Sequence, residues 1–242
     1  STPADTEAVD LLCALGACAI KIGSDDLVHS PLLEYVSRKN KPIILSGGMA
    51  SEEEIDRAVN VIQDNGNNEL CLLHCRSIYP TPTSELNLRQ IGSFRQKYDF
   101  PIGFSDHSQG IEAALGAVVL GASVIEKHFT LDKTLPGPDH HFSMDPSELK
   151  DLVKGVRKLE ESLGEGVIAP TLSELDMRVV ARRSIVAAID LPSGHTLKYD
   201  DMAFKRPGSG LMPFEGAKIV GKKLKKAVSK GEQLTFRCFD DE

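Results

Sequence analysis

Short apolar runs alternate with longer amphipathic stretches through the first two-thirds of the chain. The runs at 17–23, 42–46, 69–75, 102–105 and 123–129 are nearly continuous in apolar residues, as parallel strands covered on both faces are. Between them, 31–38, 52–64, 85–97 and 111–120 carry helical periodicity, and 146–163 follows the last run. Ser51 ahead of Glu52-Glu53-Glu54 predicts a capping box, and Asp145-Pro146 places proline in a first helical turn. Strand–helix units recurring every ~20–30 residues predict a parallel α/β sheet or barrel.

Five units fall short of the eight in a (β/α)8 TIM barrel, and an open doubly wound sheet is the plain competitor. Two features favour the barrel. No Gly-rich GxGxxG turn follows any strand, and polar residues gather at the C-terminal end of every strand, where barrels place their sites. The character changes after Gly164. Residues 166–182 read as a linker with a short helix at 172–180. From 183 the chain shows short β-like runs at 184–189, 219–220, 226–228 and 233–236. Pro192-Ser193-Gly194, Arg206-Pro207-Gly208-Ser209-Gly210 and Ser229-Lys230-Gly231-Glu232 cut these runs as turns. The expected organisation is therefore a partial barrel at 1–165, a linker at 166–182 and a small β-rich module at 183–242. Ser1-Thr2-Pro3 reads as the tail of an earlier strand, so the chain is expected to start partway through a fold.

Composition narrows the classes. Of 242 residues, 41% are apolar and 26% charged, a globular mix that excludes collagen-like and disordered chains. With 28 basic against 35 acidic residues the net charge is −7, which gives no general pull towards nucleic acid or anionic membrane. The absence of Trp argues against a stacking surface for single strands. Five Cys without a CxxC pair suit reduced thiols and a cytoplasmic location. The longest apolar stretches, 11–20 and 113–125, are shorter than the ~20 residues of a membrane helix. No charged-then-apolar leader opens the chain, so neither a membrane nor a secretory route is expected.

Candidate chemistry lies at the strand ends. Ser105-Asp106-His107-Ser108 closes one run and Glu126-Lys127-His128-Phe129 the next. Ionisable residues in a row within a core strand are costly unless partnered. Alternation sends Glu126 and His128 to one side and Lys127 to the other. Two imidazoles at adjacent strand ends suit a divalent ion of the Mn, Fe, Co or Zn kind, the alternative being two separately hydrogen-bonded histidines. His74 is expected to be structural. Asp139 and His140, in a loop after the last strand, face either solvent or a polyhydroxylated ligand. Lys21, with Ser24 and Ser46-Gly47-Gly48 near helix starts, makes an anion pocket.

Taken in order, Ser1-Thr2-Pro3, Lys21-Ile22-Gly23-Ser24, Ser46-Gly47-Gly48-Met49, His74-Cys75 with Tyr79-Pro80-Thr81-Pro82, Ser105-Asp106-His107, Glu126-Lys127-His128-Phe129 and Gly137-Pro138-Asp139-His140 resemble the sialic acid synthase family. The tail from Arg183, with Lys205-Arg206-Pro207-Gly208, resembles that family's antifreeze-like SAF domain, a β-clip module. The resemblance implies a TIM barrel followed by that module, present here from the end of the third barrel strand. It implies condensation of phosphoenolpyruvate with N-acetylmannosamine or a related N-acetylated hexose, giving a nine-carbon 2-keto sugar acid and phosphate. By the same resemblance His107 and His128 hold a divalent metal, Mn2+ with Mg2+ or Co2+ as alternatives. Thr2, Lys21, Ser24 and Ser46 hold phosphoenolpyruvate, and Lys21, His107 and His128 serve catalysis. Tyr79 and Asp139 contact the sugar, and Arg206 reaches its N-acetyl group from the partner of a domain-swapped homodimer. Ser77 stands where many members carry Asn, and Arg76 and His141-Phe142 also depart from the pattern near the sugar. A legionaminic- or pseudaminic-type acceptor is therefore an open alternative. The strands that carry a Glu and a Lys in the family lie outside this chain, which leaves a catalytically silent ligand-binding protein as the other reading.

Overall fold

The computed structural model describes residues 1–239. After a first helix, α1 (Thr6–Ala14), the apolar runs form five strands: β1 (Ile20–Ile22), β2 (Ile43–Ser46), β3 (Leu70–Cys75), β4 (Ile102–Asp106) and β5 (Val124–Lys127). All pair in parallel, in the order β1-β2-β3-β4-β5. Single helices join them: α2 (Ser30–Ser37), α3 (Glu52–Asp64), α4 (Arg89–Lys97) and α5 (Glu112–Val119), with α6 (Pro146–Leu163) after β5. Parallel crossovers are right-handed almost without exception, so an order that never reverses puts every crossover helix on one face. A doubly wound sheet needs a reversal. This sheet is singly wound, a five-stranded arc of the barrel kind, and the described residues contain no strands that close it.

The two faces of the arc differ. Ile20, Ile22, Ile43, Leu45, Leu72, Ile102 and Phe104 are buried under the helices with Val9, Leu33, Val36, Ile55, Ile62 and Ile91. The alternate positions point the other way. Lys21, Ile44 and Cys71 form one register row and stay partly exposed. The next row is Ser46, Leu73, Gly103 and Val124, and the row beyond is Cys75, Ser105 and Glu126. Polarity thus rises towards the strands' C-terminal ends.

The helix starts follow their caps. Ser51 and Glu54 exchange hydrogen bonds at the start of α3, and Asp145 with Glu148 does the same for α6. Three elements depart from the sequence reading. No helix was expected before residue 17, yet Asp5 caps α1 by accepting from the Ala8 N–H at 2.7 Å. Only Val9 of α1 is buried, so no apolar stripe betrays the helix. The strand read at 17–23 shrinks to β1, because the Ala17 N–H closes the end of α1 on the Leu12 carbonyl. The helix read at 85–97 begins at Arg89, since Asn87 sits at φ +47 and breaks the helical path.

The chain divides into two units, Ser1–Glu165 and Gly166–Glu242. The second opens with α7 (Leu172–Ala181), capped by Thr171 and Glu174. Among its described residues the one ladder is antiparallel, β6 (Ser184–Ala187) with β7 (Met202–Lys205), around Ile185, Leu191, Leu197, Leu224, Val228, Leu234 and Phe239. Of the four β-like runs, only 184–189 becomes a strand, and β7 was not anticipated. The runs at 226–228 and 233–236 supply single bridges, Leu191 to Val228 and Val186 to Gln233. Run 219–220 follows a 3-10 turn and forms no strand. Turns recur too closely there for ladders to grow.

Gly103 tests the packing of the arc. A Cβ there would run into Leu73 and come 2.7 Å from the Val124 carbonyl oxygen. Gly103→Ala is expected to destabilise the first unit by about 1–3 kcal/mol through overpacking. An unchanged urea midpoint would contradict this packing.

Candidate active site

Beyond the C-terminal ends of the strands lies a cavity of about 400 Å3. Lys21, Ser24, Ser46, Ser77, Tyr79, His107 and His128, all singled out from the sequence, line it together with Asp25, Met49, Cys75, Ser105 and Glu126. The row Cys75–Ser105–Glu126 forms its wall, and two residues further along the strand paths come Ser77, His107 and His128. Period-2 alternation returns these to the same side.

One wall carries an ion pair and a group of hydroxyls. Lys21 Nζ stands 3.3 Å from Glu126 Oε2, and Glu126 Oε1 accepts from the Ser105 hydroxyl at 2.6 Å. Ser24 Oγ accepts from the Gly48 N–H at 3.0 Å. A Cβ at 48 would run into Ser77 Oγ and come 2.7 Å from Ser24 Oγ, so any larger residue there would turn both hydroxyls aside. The hydroxyls of Ser46 and Ser77 are buried without a hydrogen-bond partner. Buried polar groups are almost always paired, so these hydroxyls are available to further hydrogen bonds at the cavity. Met49, at φ +62, projects into solvent at the rim.

The other wall is aromatic. The His107 and His128 rings lie 5.2 Å apart at 84°, and the Tyr79 ring sits 4.3 Å from His107 and 5.7 Å from His128. His107 Nδ1–H donates to the Arg76 carbonyl at 2.7 Å, which turns Nε2 towards Ser105 Oγ at 3.5 Å. His128 packs against buried Phe142 at 5.0 Å. Burial first, and then the neighbouring His107, hold its pKa below the ordinary 6.5. Burial likewise pushes the Tyr79 phenol up.

The remaining sequence candidates are more scattered. Asp139 Oδ2 stands 3.8 Å from His128 Nδ1 but is not among the lining residues. Thr2 lies beside Gly23, because Ser1 accepts from the Lys21 N–H at 3.0 Å along the outer edge of β1. It too stays outside the lining. Arg206 is exposed in the second unit. His140 fastens its loop through Thr130 Oγ1 at 2.7 Å, and His74 is core, bonded to the Leu86 carbonyl and stacked on Phe104. Sequence reasoning gave no role to Ser105 or Glu126. A carboxylate in an apolar strand opposite an equally isolated Lys21 was the available signal.

The His107 and His128 rings, both lining the cavity, are the residues that could contribute to holding a divalent ion. Among the described residues no group of three or more His, Cys, Asp or Glu is arranged to hold a metal.

A parallel singly wound arc with a polar cavity beyond the C-terminal ends of its strands is the arrangement of barrel-like α/β folds. Residues 1–168 match the NeuB family and residues 182–239 the SAF domain. The chain belongs to the NeuB family. It is 40% identical to an N,N'-diacetyllegionaminic acid synthase of Legionella pneumophila over 98% of this chain and 67% of the relative. It is 34% identical to human N-acetylneuraminate-9-phosphate synthase over 98% of this chain and 66% of the relative. A crystal structure of N-acetylneuraminic acid synthetase from Leptospira borgpetersenii superposes with a TM-score of 0.69 at 41% identity, covering 73% of this chain and 61% of that one. The chain thus spans about two-thirds of the length of these relatives. Among the described residues no helix is long and apolar enough to cross a membrane.

His128 offers a direct check. Its proton NMR titration is expected to give a midpoint below 6.5, and a midpoint above it would contradict the buried setting. The unfolded chain binds that proton more readily. Stability is therefore fully present above 6.5 and is lost as the pH falls through the lower folded-state value.

Proposed function

We propose that the chain is the larger part of a synthase that condenses phosphoenolpyruvate with an N-acetylated hexose, releasing phosphate and a nine-carbon 2-keto sugar acid. The observation that carries this reading is the single cavity in which Lys21 and the unpartnered Ser46 and Ser77 hydroxyls face the paired His107 and His128 rings. The names of the Legionella, human and Leptospira relatives support the product class. In the reading, strands outside this chain close the arc into a full (β/α)8 barrel, and the protein acts in the cytoplasm.

Lys21, Ser24, Ser46 and Ser77 bind the phosphate and carboxylate of phosphoenolpyruvate, and Thr2 closes that end. His107 and His128 would hold a divalent ion, Mn2+ by preference, which would supply Lewis-acid polarisation of the sugar's aldehyde. Tyr79 and Asp139 orient the sugar so that carbon 3 of phosphoenolpyruvate meets the aldehyde carbon, a gain in proximity and alignment. The aldehyde oxygen takes up a proton and becomes a hydroxyl, positive charge develops at carbon 2, water adds there, and the adduct expels phosphate as its new hydroxyl collapses to the ketone. Glu126, held by Ser105 and Lys21, takes the proton of that water. Arg206, from the partner of a domain-swapped homodimer, covers the N-acetyl group and limits entry of bulk water.

Phosphate release from phosphoenolpyruvate, with and without N-acetylmannosamine or its diacetamido-trideoxy analogue and Mn2+, tests the reading on a chain extended to the full length of its relatives. Sugar-dependent release supports it. Phosphoenolpyruvate binding with no release under any sugar supports the silent ligand-binding reading instead. Lys21→Met removes a charge-assisted bond worth about 2 kcal/mol, so phosphoenolpyruvate affinity is expected to fall about thirtyfold. Unchanged affinity would remove Lys21 from the cradle.

A further inference from the structure

On the face turned away from the cavity, the two histidine-bearing strand ends are joined by a buried ion pair that the proposed chemistry does not use. Lys127 Nζ lies 2.8 Å from Asp106 Oδ2, with both side chains almost wholly removed from solvent. The other Asp106 oxygen accepts from the Ser108 N–H at 2.8 Å and from its hydroxyl at 2.6 Å. Lys127 also donates to the Ser108 carbonyl at 2.5 Å. Three of these four bonds therefore end on Ser108, the residue after His107, and the Thr81 N–H holds the His107 carbonyl at 3.0 Å. Asp106 and Lys127 are register partners, and each immediately precedes one of the histidines.

Burying two ions is costly, and apolar pairs of similar volume often serve stability as well or better. Stability alone does not account for this pair. Its bonds clasp His107 between Asp106 and Ser108 and tie that turn to the strand that delivers His128.

We propose that Asp106 and Lys127 are positioning residues that fix the 5.2 Å separation of the His107 and His128 rings from behind, so that both rings address one divalent cation. The inference rests on the reading of those histidines as a metal pair. Partners of this kind, which hold a ligand in place from outside the coordination sphere, typically change metal affinity by ~10–100-fold when lost.

The test compares wild-type protein, the apolar double variant Asp106→Leu/Lys127→Met, and Ser108→Ala, which keeps the ion pair but loses one of its bonds. Two quantities are read: Co2+ affinity by visible absorption, and the ring-to-ring proton NOE between His107 and His128 in metal-free protein. The double variant is expected to unfold cooperatively, bind Co2+ ~10–100-fold more weakly and lose the NOE, with Ser108→Ala showing a smaller loss in the same direction. A folded double variant with wild-type affinity and an intact NOE overturns the proposal. Should the double variant not fold, Ser108→Ala decides: weakened affinity upholds the proposal and unchanged affinity overturns it. Should wild-type protein bind no Co2+, the metal reading fails, and the NOE comparison alone judges the positioning role.

Discussion

Where β4 meets β5, Ser105 stands opposite Glu126 and Asp106 opposite Lys127, and a strand's period of two sends these pairs to opposite faces. The first pair, bonded at 2.6 Å, enters the cavity, and the second, at 2.8 Å, is buried on the far side. One residue later both chains carry a histidine back to the cavity. A slip of one residue in this register would turn every one of these groups to the wrong face. The cradle opposite depends on the same geometry, since Lys21 reaches Glu126 only because the ladder from β1 to β5 holds unbroken.

That geometry concentrates unusual features around the cavity. Ser46 and Ser77 keep buried hydroxyls without partners, Gly48 brings backbone against three side chains, and Met49 holds a left-handed conformation at the rim. The unpaired hydroxyls and the left-handed Met49 run against stability, and they gather around one cavity. The aromatic wall adds a second property. With His128 held below its ordinary pKa by burial, its ring is neutral near pH 7, the form able to donate a lone pair.

Much of this was legible from the sequence, and what was not has identifiable causes. Four of the five strands appeared close to their observed places because parallel strands covered by helices are continuously apolar. Glu126 and Lys127 were assigned to opposite sides by alternation alone. α1 escaped because it buries only Val9, and β7 because a four-residue strand between turns carries little periodicity. The start of α4 was misplaced because Asn87 departs from helical backbone, which residue identity signals weakly. At the site, Lys21, His107 and His128 stood out as ionisable residues in apolar surroundings. Ser105 was passed over, since a serine in a strand end is unremarked until its register partner proves to be a carboxylate.

The account stands on the cradle and the paired imidazoles sharing one ligand space. Phosphorus NMR of phosphoenolpyruvate bound to the protein, recorded as Mn2+ is added, measures this directly. The account predicts strong broadening of the bound phosphate signal at stoichiometric Mn2+, abolished by His107→Ala. A signal left sharp while Mn2+ is bound would place ion and phosphate in separate sites and contradict it.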